Sequence, residues 1–569
     1  MNSSKNNIRY KEYQADVLVI GSGYAGTFAA MKAKARGLDV LVVDKGRAGL
    51  GGKTPWAAAF QCYDPASGQT REHTLESTAR DSDYLVRRDI VEMWHEDSLQ
   101  RYRDLVAWGA IEKNGEKNQG DVFRQQLRKN GVKLLEKVAI VDLIEQHGTV
   151  IGAIGFFNQR ATAVVIKAKA TILCTGSGSF KVPGYPIGSL THDGQAMAYR
   201  LGAEISGKEN VDPHETKKRF LCHPWGAYGT EYQWPILPKF DTLPPPPMKD
   251  GKPPIDGCAP SDDPDYVPLD PNAPPPPPPP FPMVEGDEMT YAALRGDVPV
   301  TPQVVVGGKG QKGPNVMPED EELHFSATAG MAMHRFDGIF TRMGSHQTGV
   351  TGLYAAGDAT YSAINGLGVS SCGSSVQGAR AGIEAAEYVS GLHSLPEVNE
   401  DDIQQKVELV FKPLQREHGY SPAWVTQYLQ NLMTPYFVLY AKRAETLQAA
   451  LMNIEYLQKN VVPKMKAKDS HELRLVHETA NMVLNAEMKL RASLFREESR
   501  GAHFREDIPA RNDEDWLAWV IISQEDGKMK CTKRAIPDEW KPDLTLPYEK
   551  RYRKRYPGEL EYRGAELNA

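Results

Sequence analysis

The sequence predicts an α/β fold in which a Rossmann-like nucleotide-binding domain is interrupted by an α+β capping domain and followed by a helical domain and an extended tail. Near residues 21, 175 and 357 an apolar strand ends in a glycine turn, which suits one nucleotide fold built from separated segments. Proline runs at 244–247 and 274–280 mark the insertion, because they exclude helix and central strand. Helical periodicity dominates residues 401–498.

The first glycine turn lies in ADVLVIGSGYAGTFAAMKAKARGLDVLVVDK, residues 15–45, which spells a strand, a turn, a helix and a second strand. Gly21, Gly23 and Gly26 form a G-x-G-x-x-G pattern, which permits a tight turn and close backbone approach to a pyrophosphate. The amides that begin the following helix would face the phosphates. The second strand ends in Asp44, whose carboxylate can accept ribose hydroxyls. These features predict a dinucleotide site.

The later turns favour FAD over NAD. Residues 352–359, GLYAAGDA, form a short strand that ends in Gly357 and Asp358. In two-part flavin folds, a late segment of this kind returns to the first domain, and its aspartate binds ribityl hydroxyls or waters on the pyrophosphate. The small-residue helix that follows can stabilise negative charge on a reduced flavin. A further strand, 170–178, ends in Thr175 and Gly176 and also suits close cofactor approach.

Shifts in composition predict where the domains begin and end. The expected ranges are 13–202 and 346–398 for the FAD-binding domain, 203–345 for the capping and substrate domain with its proline-rich insertion, 399–510 for the helical domain, and 511–569 for the extended tail.

Composition argues against several classes of protein. The 569 residues carry a net charge of −6 and 41% hydrophobic residues, which fits several buried cores and gives no signature of nucleic-acid binding. No apolar run approaches the length of a membrane span, and the N-terminus has no apolar signal core, so we expect a cytoplasmic protein. The six cysteines contain no C-x-x-C pair, so we expect no metal site or iron–sulfur cluster within this chain.

Longer motifs resemble one group of enzymes. In chain order they are GSGYAG, GGKTPWAAA, ILCTGSGS, THDGQAMAYRLGAE, GLYAAGDA and FREESRGAHFREDIPARNDEDW. Together they resemble the flavoprotein subunits of fumarate reductase and succinate dehydrogenase, L-aspartate oxidase and adenylylsulfate reductase. From about residue 432 to 516 the sequence looks most similar to the alpha subunit of adenylylsulfate reductase. The resemblance implies an FAD-dependent oxidoreductase.

The resemblance also bears on flavin attachment. Family members with covalent flavin carry a histidine in the segment that matches GGKTPWAAA, and this chain has none, so we expect noncovalent FAD. Lys53 and Thr54 are expected beside the isoalloxazine ring. The full set of predicted cofactor-binding residues is Gly21, Gly23, Tyr24, Ala25, Gly26, Asp44, Lys45, Gly51, Gly52, Lys53, Thr54, Ala139, Thr175, Gly176, Asp193, Gly357, Asp358, Gly373, Ser374 and Ser375.

Three departures from the family's substrate motifs argue against a simple C4 dicarboxylate substrate. The family's His-Pro-Thr has only a loose counterpart in residues 214–216, HET. Gly366 replaces the arginine of Asn-Arg-Leu-Gly, which removes a bidentate carboxylate clamp. The proton-delivering Arg-Gly-Glu-Gly is reduced to residues 295–297, RGD.

Histidine and arginine residues in and around the cap are the candidates for catalysis. A histidine pKa near working pH suits proton transfer coupled to hydride transfer. His346 stands six residues before the GLYAAGD strand, so the chain must carry it close to the flavin. The predicted catalytic residues are His346, His214, Arg295, His223 and Trp225, with His192, His334, Arg335 and Arg342 as further candidates.

These features predict two-electron hydride transfer between flavin N5 and a small organic substrate held between the flavin domain and the cap. Two alternatives stay open: an adenylylsulfate-reductase-like catalytic subunit that works with a separate iron–sulfur partner, and a flavin-bearing electron-transfer or scaffold subunit. The basic, tyrosine-rich residues 548–558 read either as a solvated tail or as an arm that embraces a ferredoxin-like partner or a second copy of the chain.

Overall fold

The computed structural model describes residues 8–56, 60, 62–67, 70–111, 119–181, 189–210, 216–217, 323–324, 336–363, 369–392, 394, 398–433, 436–439, 441–552, 556 and 558–567. Most of the expected capping domain, with both proline runs, lies outside these residues.

The described chain begins with a strand, a helix and a second strand, as the sequence predicts. The strands are β1 (Tyr10–Ile20), β2 (Val40–Asp44), β3 (Lys133–Glu136), β4 (Val138–Gln146), β5 (Thr149–Phe157), β6 (Ala163–Leu173), β7 (Ile205–Ser206), β8 (Thr216–Lys217), β9 (Leu323–His324), β10 (Gly338–Ile339), β11 (Leu353–Ala355), β12 (Ala441–Lys442), β13 (Phe504–Arg505), β14 (Ala518–Glu525) and β15 (Lys528–Ala535).

Long helices dominate the part of the chain after residue 369. The α-helices are α1 (Tyr24–Lys34), α2 (Arg71–Asp81), α3 (Arg88–Trp108), α4 (Gln119–Lys129), α5 (Asp193–Arg200), α6 (Val369–Ser390), α7 (Glu400–Phe411), α8 (Pro422–Met433), α9 (Tyr436–Leu439), α10 (Ala444–Tyr456), α11 (Ser470–Phe495), α12 (Asp513–Trp516), α13 (Tyr548–Arg551) and α14 (Glu559–Leu567).

A seven-stranded sheet forms the nucleotide-binding part, with the order β3-β2-β1-β6-β5-β4 and with β11 also paired to β6. Strands β3, β2, β1, β6 and β11 run parallel, so their carboxyl ends share one edge. The long strand β6 has two neighbours on one side: its first half pairs with β5 and its last three residues pair with β11. The late GLYAAGDA segment therefore completes the sheet that the N-terminal segment begins.

Small residues allow helices α1 and α6 to pack closely on one face of this sheet. A Cβ atom added at Gly378 would lie 2.1 Å from the carbonyl oxygen of Ala25, and one added at Gly382 would lie 2.3 Å from that of Ala29. Only glycine permits this approach of α6 to α1 without a shift of backbone. The contact brings the start of α6 beside the first glycine turn.

The helical region packs against the opposite side of the β4–β5–β6 part of the sheet. Its core contains Ile403 of α7, Leu429 of α8, Ile454 of α10 and Met482 of α11, all fully buried, in one cluster with Phe156 of β5. Apolar residues at helical spacing explain these four helices, as the periodicity predicts.

The C-terminal segment differs from the extended tail that we expected. Strands β14 and β15 form a hairpin, and β14 pairs with β7 in a second sheet of order β10-β7-β14-β15. The run Ala518–Ile522 is buried residue by residue, so it belongs to a core rather than to a solvated arm.

The basic, tyrosine-rich segment also returns to its own chain. Tyr552 and Tyr556 lie under the guanidinium of Arg511, at 4.3 and 4.6 Å from the ring centroids, and Arg551 pairs with Asp513 at 2.9 Å. These side chains are engaged within the chain and do not form a free arm. Among the described residues, none of the helices is long and apolar enough to cross a membrane.

Candidate functional site

Three glycine turns meet at the carboxyl edge of the parallel strands. Strands β1, β6 and β11 are neighbours, and they lead into Gly21, Gly176 and Gly357, whose φ angles are +102°, +73° and +71°. A side chain is disfavoured at these angles, so each turn exposes its backbone on the same edge. Ligands of open parallel sheets bind at this edge.

Each glycine of the first turn is required by a close neighbour. A Cβ atom at Gly21 would lie 2.2 Å from the carbonyl oxygen of Cys174, and one at Gly26 would lie 1.9 Å from that of Gly21. A Cβ at Gly23 would lie 2.7 Å from Thr54 Oγ1. Helix α1 begins at the next residue and has no side-chain cap, so its first amides face the turn, as phosphate binding requires.

Asp44 lies beside this turn at the end of β2. Its Oδ2 accepts hydrogen bonds from the backbone amide of Ser22, at 3.0 Å, and from the Ser22 hydroxyl, while Oδ1 accepts from the amide of Gly46 at 2.7 Å. Burial raises the pKa of Asp44 above its ordinary value, although these donors oppose the shift. A Cβ at Gly51 would lie 3.3 Å from Oδ1, so the glycine loop after β2 covers the carboxylate.

The third turn is linked to the loop after β2 by an ion pair. Lys53 Nζ lies 3.0 Å from Asp358 Oδ2. The amide of Gly357 donates to Gln377 Oε1 at 3.1 Å, and a Cβ at Gly357 would lie 3.1 Å from Ser374 Oγ in the first turns of α6. Lys53, Asp358 and the start of α6 therefore surround one region of the edge.

The second turn provides hydroxyls that are buried and lack partners. Thr175 Oγ1 and Ser177 Oγ are shielded from solvent and make no hydrogen bond to the described residues. Leu190 lies against both Gly176 and Gly52, at 3.2 and 3.3 Å from the Cβ that each would carry. Buried hydroxyls normally find partners, so their position at the glycine edge fits a polar ligand there.

A basic group closes the end of the site near Asp44. Lys45 Nζ lies 2.7 Å from Asp193 Oδ2 and 2.8 Å from Glu478 Oε1. Glu478 also pairs with Lys181 at 2.9 Å and Arg474 at 2.7 Å, and together with Lys45 these cations lower its pKa to about 2 against the cost of burial. Glu478 belongs to α11, so the helical region reaches the edge of the site.

The remaining predicted cofactor-binding residues lie in three places around these turns. Ala139 stands two residues after Lys137, whose amide donates to the carbonyl of Gly46, so it lies near the Asp44 end. The Tyr24 ring contacts Phe123 at 4.9 Å in an aromatic cluster, while Ala25 meets the third turn. Gly373 and Ser375 lie in the first turns of α6 with Ser374, and the Ser375 hydroxyl bonds the carbonyl of Ser371.

His346 has a carboxylate partner on α6. Its Nδ1 lies 2.7 Å from Glu384 Oε1, and its backbone amide and the Ser345 hydroxyl donate to Glu384 Oε2 at 2.8 and 2.6 Å. Glu384 lies about 10 Å further along α6 than Gln377, by the rise of a helix. The other four predicted catalytic residues, His214, His223, Trp225 and Arg295, lie outside the described residues.

The sequence analysis did not identify several residues of the site. Ser22 binds Asp44 from inside the glycine motif, Gln377 fixes the third turn, and Glu478 orders Lys45 from α11. Ser22 could have been found, because the position between the first two glycines faces the end of β2. Gln377 and Glu478 carry no local signal, since their role depends on helix packing.

The residues present fit a dinucleotide. The positive-φ glycines leave no room for side chains, the uncapped helix α1 can take a pyrophosphate, and Thr175 and Ser177 offer buried hydroxyls. Asp44 suits a ribose at one end, and Lys53 with Asp358 lies towards the other. Among the described residues, no cluster of three or more His, Cys, Asp or Glu side chains could hold a metal ion.

Comparison with known proteins agrees with this geometry. Residues 16–182 match the family model for FAD dependent oxidoreductases, and residues 426–552 match that for the fumarate reductase flavoprotein C-terminus. The chain is 25% identical to one subunit of the fumarate reductase (CoM/CoB) of Methanothermobacter marburgensis, over 90% of this chain and 97% of that protein.

Solved structures share the fold along nearly the whole chain. Quinol fumarate reductase of E. coli superposes with a TM-score of 0.71 at 18% identity, covering 96% of this chain and 100% of that one. Adenylylsulfate reductase of Archaeoglobus fulgidus gives 0.69 at 19% identity, covering 94% and 97%. The family models and the full-length relative identify the chain as an FAD-dependent oxidoreductase that is similar to the flavoprotein subunits of fumarate reductase, and it shares its fold with adenylylsulfate reductase.

Proposed function

We propose that this chain is the catalytic flavoprotein subunit of a two-electron reductase or dehydrogenase that acts on a small organic substrate. The observation that carries the proposal is the placement of the insertion relative to the glycine edge. The chain leaves at Asn210 and returns at Phe336, and these two roots are joined by a hydrogen bond from Asn210 Nδ2 to the Phe336 carbonyl at 3.2 Å. The second root then leads through residues 340–352 directly into β11 and the Gly357 turn.

When bound, FAD supplies a two-electron centre at N5. The chain must then hold a substrate against that centre and move one proton for each hydride. We assign the substrate contacts to the insertion, with His214, His223, Trp225 and Arg295 as the candidate groups. The proposed substrate differs from a plain C4 dicarboxylate, because Gly366 stands where the clamp for a second carboxylate would be.

We further propose that electrons reach or leave the flavin through a separate iron–sulfur protein. The Methanothermobacter relative is named as one subunit of a fumarate reductase, which supports a multi-chain enzyme. The six cysteines of this chain are dispersed in sequence and contain no cluster-binding pair. We also propose that FAD is held without a covalent bond, since the loop at Gly51–Thr54 contains no histidine.

The experiment is anaerobic photoreduction of the purified protein, followed by mixing with unsaturated acids, enones, quinones and adenylylsulfate while the oxidised flavin band is recorded. We expect an unsaturated organic acid to reoxidise the flavin rapidly. Reoxidation by adenylylsulfate alone would assign the sulfur chemistry instead. Reoxidation only by dyes or ferredoxin-like proteins would support an electron-transfer subunit.

A matched pair of variants separates substrate chemistry from flavin binding. Arg295→Gln should keep the flavin spectrum and lose most of the reoxidation rate, because it removes a candidate catalytic cation from the proposed substrate site. Arg295→Lys keeps a cation and should retain part of the rate. Equal rates in both variants and the parent enzyme would remove Arg295 from the mechanism.

A further inference from the structure

A chain of four buried polar side chains runs from the second glycine turn to the roots of the insertion. Its members are His192, Gln195, Lys208 and Asp337, and each is at most 2% exposed. None of them is among the residues described above as fitting a dinucleotide at the glycine edge. We call Gly207–Asn210 and Phe336–Gly338, the two roots of the insertion, the neck.

This series of side chains begins with His192, which covers the second glycine turn. A Cβ atom added at Gly178 would lie 2.0 Å from His192 Nδ1, so the imidazole lies directly on the backbone of Gly178. Gly178 also forms a β-bridge with Thr191. Any movement of the Thr175–Gly178 turn must therefore displace the His192 ring or be resisted by it.

Gln195 joins His192 to the neck, and its amide has only one consistent orientation. Gln195 Oε1 lies 3.1 Å from His192 Nδ1 and 2.5 Å from Lys208 Nζ, while Gln195 Nε2 donates to Asp337 Oδ1 at 3.3 Å. The ammonium needs an acceptor and the carboxylate needs a donor, so Oε1 must face Lys208. His192 must then donate from Nδ1, which leaves Nε2 as a buried acceptor with no partner among the described residues.

The neck itself is held by charge. Lys208 Nζ pairs with Asp337 Oδ2 at 3.1 Å, and both side chains are fully buried. From the other side, Lys489 of α11 donates to the backbone carbonyls of Lys208 at 3.1 Å and Asn210 at 2.6 Å. Because an unpaired buried charge is very unfavourable, the two roots of the insertion must move together and with Gln195.

We propose that Gln195 is a positioning residue that couples FAD occupancy at the second glycine turn to the order of the neck, through His192 on one side and the Lys208–Asp337 pair on the other. The coupling rests on the proposed role of residues 211–335 as a substrate cap. In this coupling, one orientation of the Gln195 amide satisfies its hydrogen bonds to His192, which lies on the turn, and to Lys208 and Asp337, which lie in the neck. The same coupling must act in both directions, because linkage is reciprocal.

The test is backbone hydrogen exchange on the full-length protein with and without FAD. In the parent protein, FAD should slow exchange at Asn210 in the neck and at Phe340 two residues after it, whose amides donate to the carbonyls of Gly207 and Glu204 respectively. The expected slowing is about 5- to 150-fold, the range of ordinary site-to-site coupling. This readout needs no substrate, so it stands apart from the assay of the proposed function.

Gln195→Leu should abolish the FAD-dependent slowing at the neck while FAD still slows exchange at residues 21–26. The double variant Lys208→Met with Asp337→Leu should do the same, and apolar replacement of a buried pair usually preserves folding. The control is Gln430→Leu, since Gln430 bonds the carbonyls of Phe180 and Lys181 beside the same turn and should leave the slowing intact.

Three results would overturn the proposal. The first is a parent protein whose neck exchanges equally with and without FAD. The second is a Gln195→Leu variant that retains the slowing. The third is a Gln430→Leu variant that loses the slowing to the same extent as Gln195→Leu.

Discussion

Lys53 and Asp358 form an ion pair of 3.0 Å between residues that are 305 positions apart in the chain. Lys53 follows the glycine loop after β2, and Asp358 follows the positive-φ Gly357 after β11. Both side chains are largely buried, with 12% and 8% of their surfaces exposed. The pair therefore joins the early and late segments of the seven-stranded sheet at the edge that we propose binds the cofactor.

Removal of this cation should weaken FAD binding. In Lys53→Met the buried carboxylate of Asp358 loses the ammonium, so the loop after β2 is no longer held against the third turn. We expect the dissociation constant of FAD to rise at least tenfold, about 1.4 kcal/mol, in a titration followed by flavin fluorescence.

Lys53→Arg is the matched control, because it keeps the positive charge with a different shape. It should bind FAD more tightly than the methionine variant. Equal affinity in both variants and the parent would show that the ion pair does not contribute to the cofactor site.

The first glycine turn offers a steric test. Gly26→Ala places a Cβ atom 1.9 Å from the carbonyl oxygen of Gly21, so the turn must open and FAD should be lost from the purified protein. The control is Gly37→Ala, where φ is +82° and no atom lies within 4 Å of the added Cβ. That variant should lose about 1 kcal/mol of stability and retain FAD. Retention of FAD by Gly26→Ala would contradict the assignment of this turn.

Flavin attachment can be tested without any variant. Denaturation in acid should release all of the flavin into the supernatant, because the predicted loop at 51–58 carries no histidine for a covalent bond. The measurement compares flavin absorbance in the supernatant with that in the precipitated protein. Flavin that stays with the precipitate would show a covalent bond to another residue.

The central part of the fold was predictable because its signals are local. The strand, glycine turn and helix at Val17–Lys34, the acid at Asp44 and the second and third turns appear in the structure where the sequence places them. Glycine turns and apolar strands are fixed by neighbouring residues, so a short window contains the information. The order of the strands could not be predicted from the sequence, because β11 pairs with β6 although the long insertion separates them in the chain.

The C-terminal hairpin shows a local signal that we missed. Glu525 pairs with Lys528, which leaves Asp526 and Gly527 as a two-residue turn, both with positive φ. Asp-Gly between two strand-like runs is a strong hairpin signal. We predicted an extended segment because the tail is rich in prolines and charges, and this composition hid the signal of the Asp-Gly dipeptide. The burial of β14 depends on pairing with β7, which no short window contains.

The carboxylate of Glu478 should make the protein sensitive to acid. Its pKa is lowered from 4.5 to about 2, so its contribution is complete above pH 4.5 and is lost as the pH falls towards 2. A shift of this size corresponds to about 3 kcal/mol. Glu478→Gln should therefore lower the unfolding free energy at neutral pH and flatten its decline between pH 4.5 and 2, in denaturant titrations at several pH values.

Glu487→Gln on the same helix is the control, since Glu487 pairs with Arg491 at 2.8 Å nearer the surface. It should change the stability by less than about 1 kcal/mol. A larger effect from Glu487 than from Glu478 would contradict the role of the Lys45–Glu478 link.

Substitution of His346 distinguishes a positioning role from a catalytic role for this residue. The imidazole and Glu384 are hydrogen bonded at 2.7 Å, and although burial alone would raise it, the pKa of Glu384 is lowered by this contact. The stability from Glu384 is then present above its ordinary pKa and is lost in acid below it. We expect His346→Gln to cost about 1–3 kcal/mol of unfolding free energy, because the partly buried carboxylate of Glu384 loses one of its donors, and to leave the pH dependence of kcat unchanged. Glu384→Gln should behave in the same way. A kcat that falls steeply with a displaced pH profile, at unchanged stability, would instead make His346 a proton donor or acceptor in the reaction.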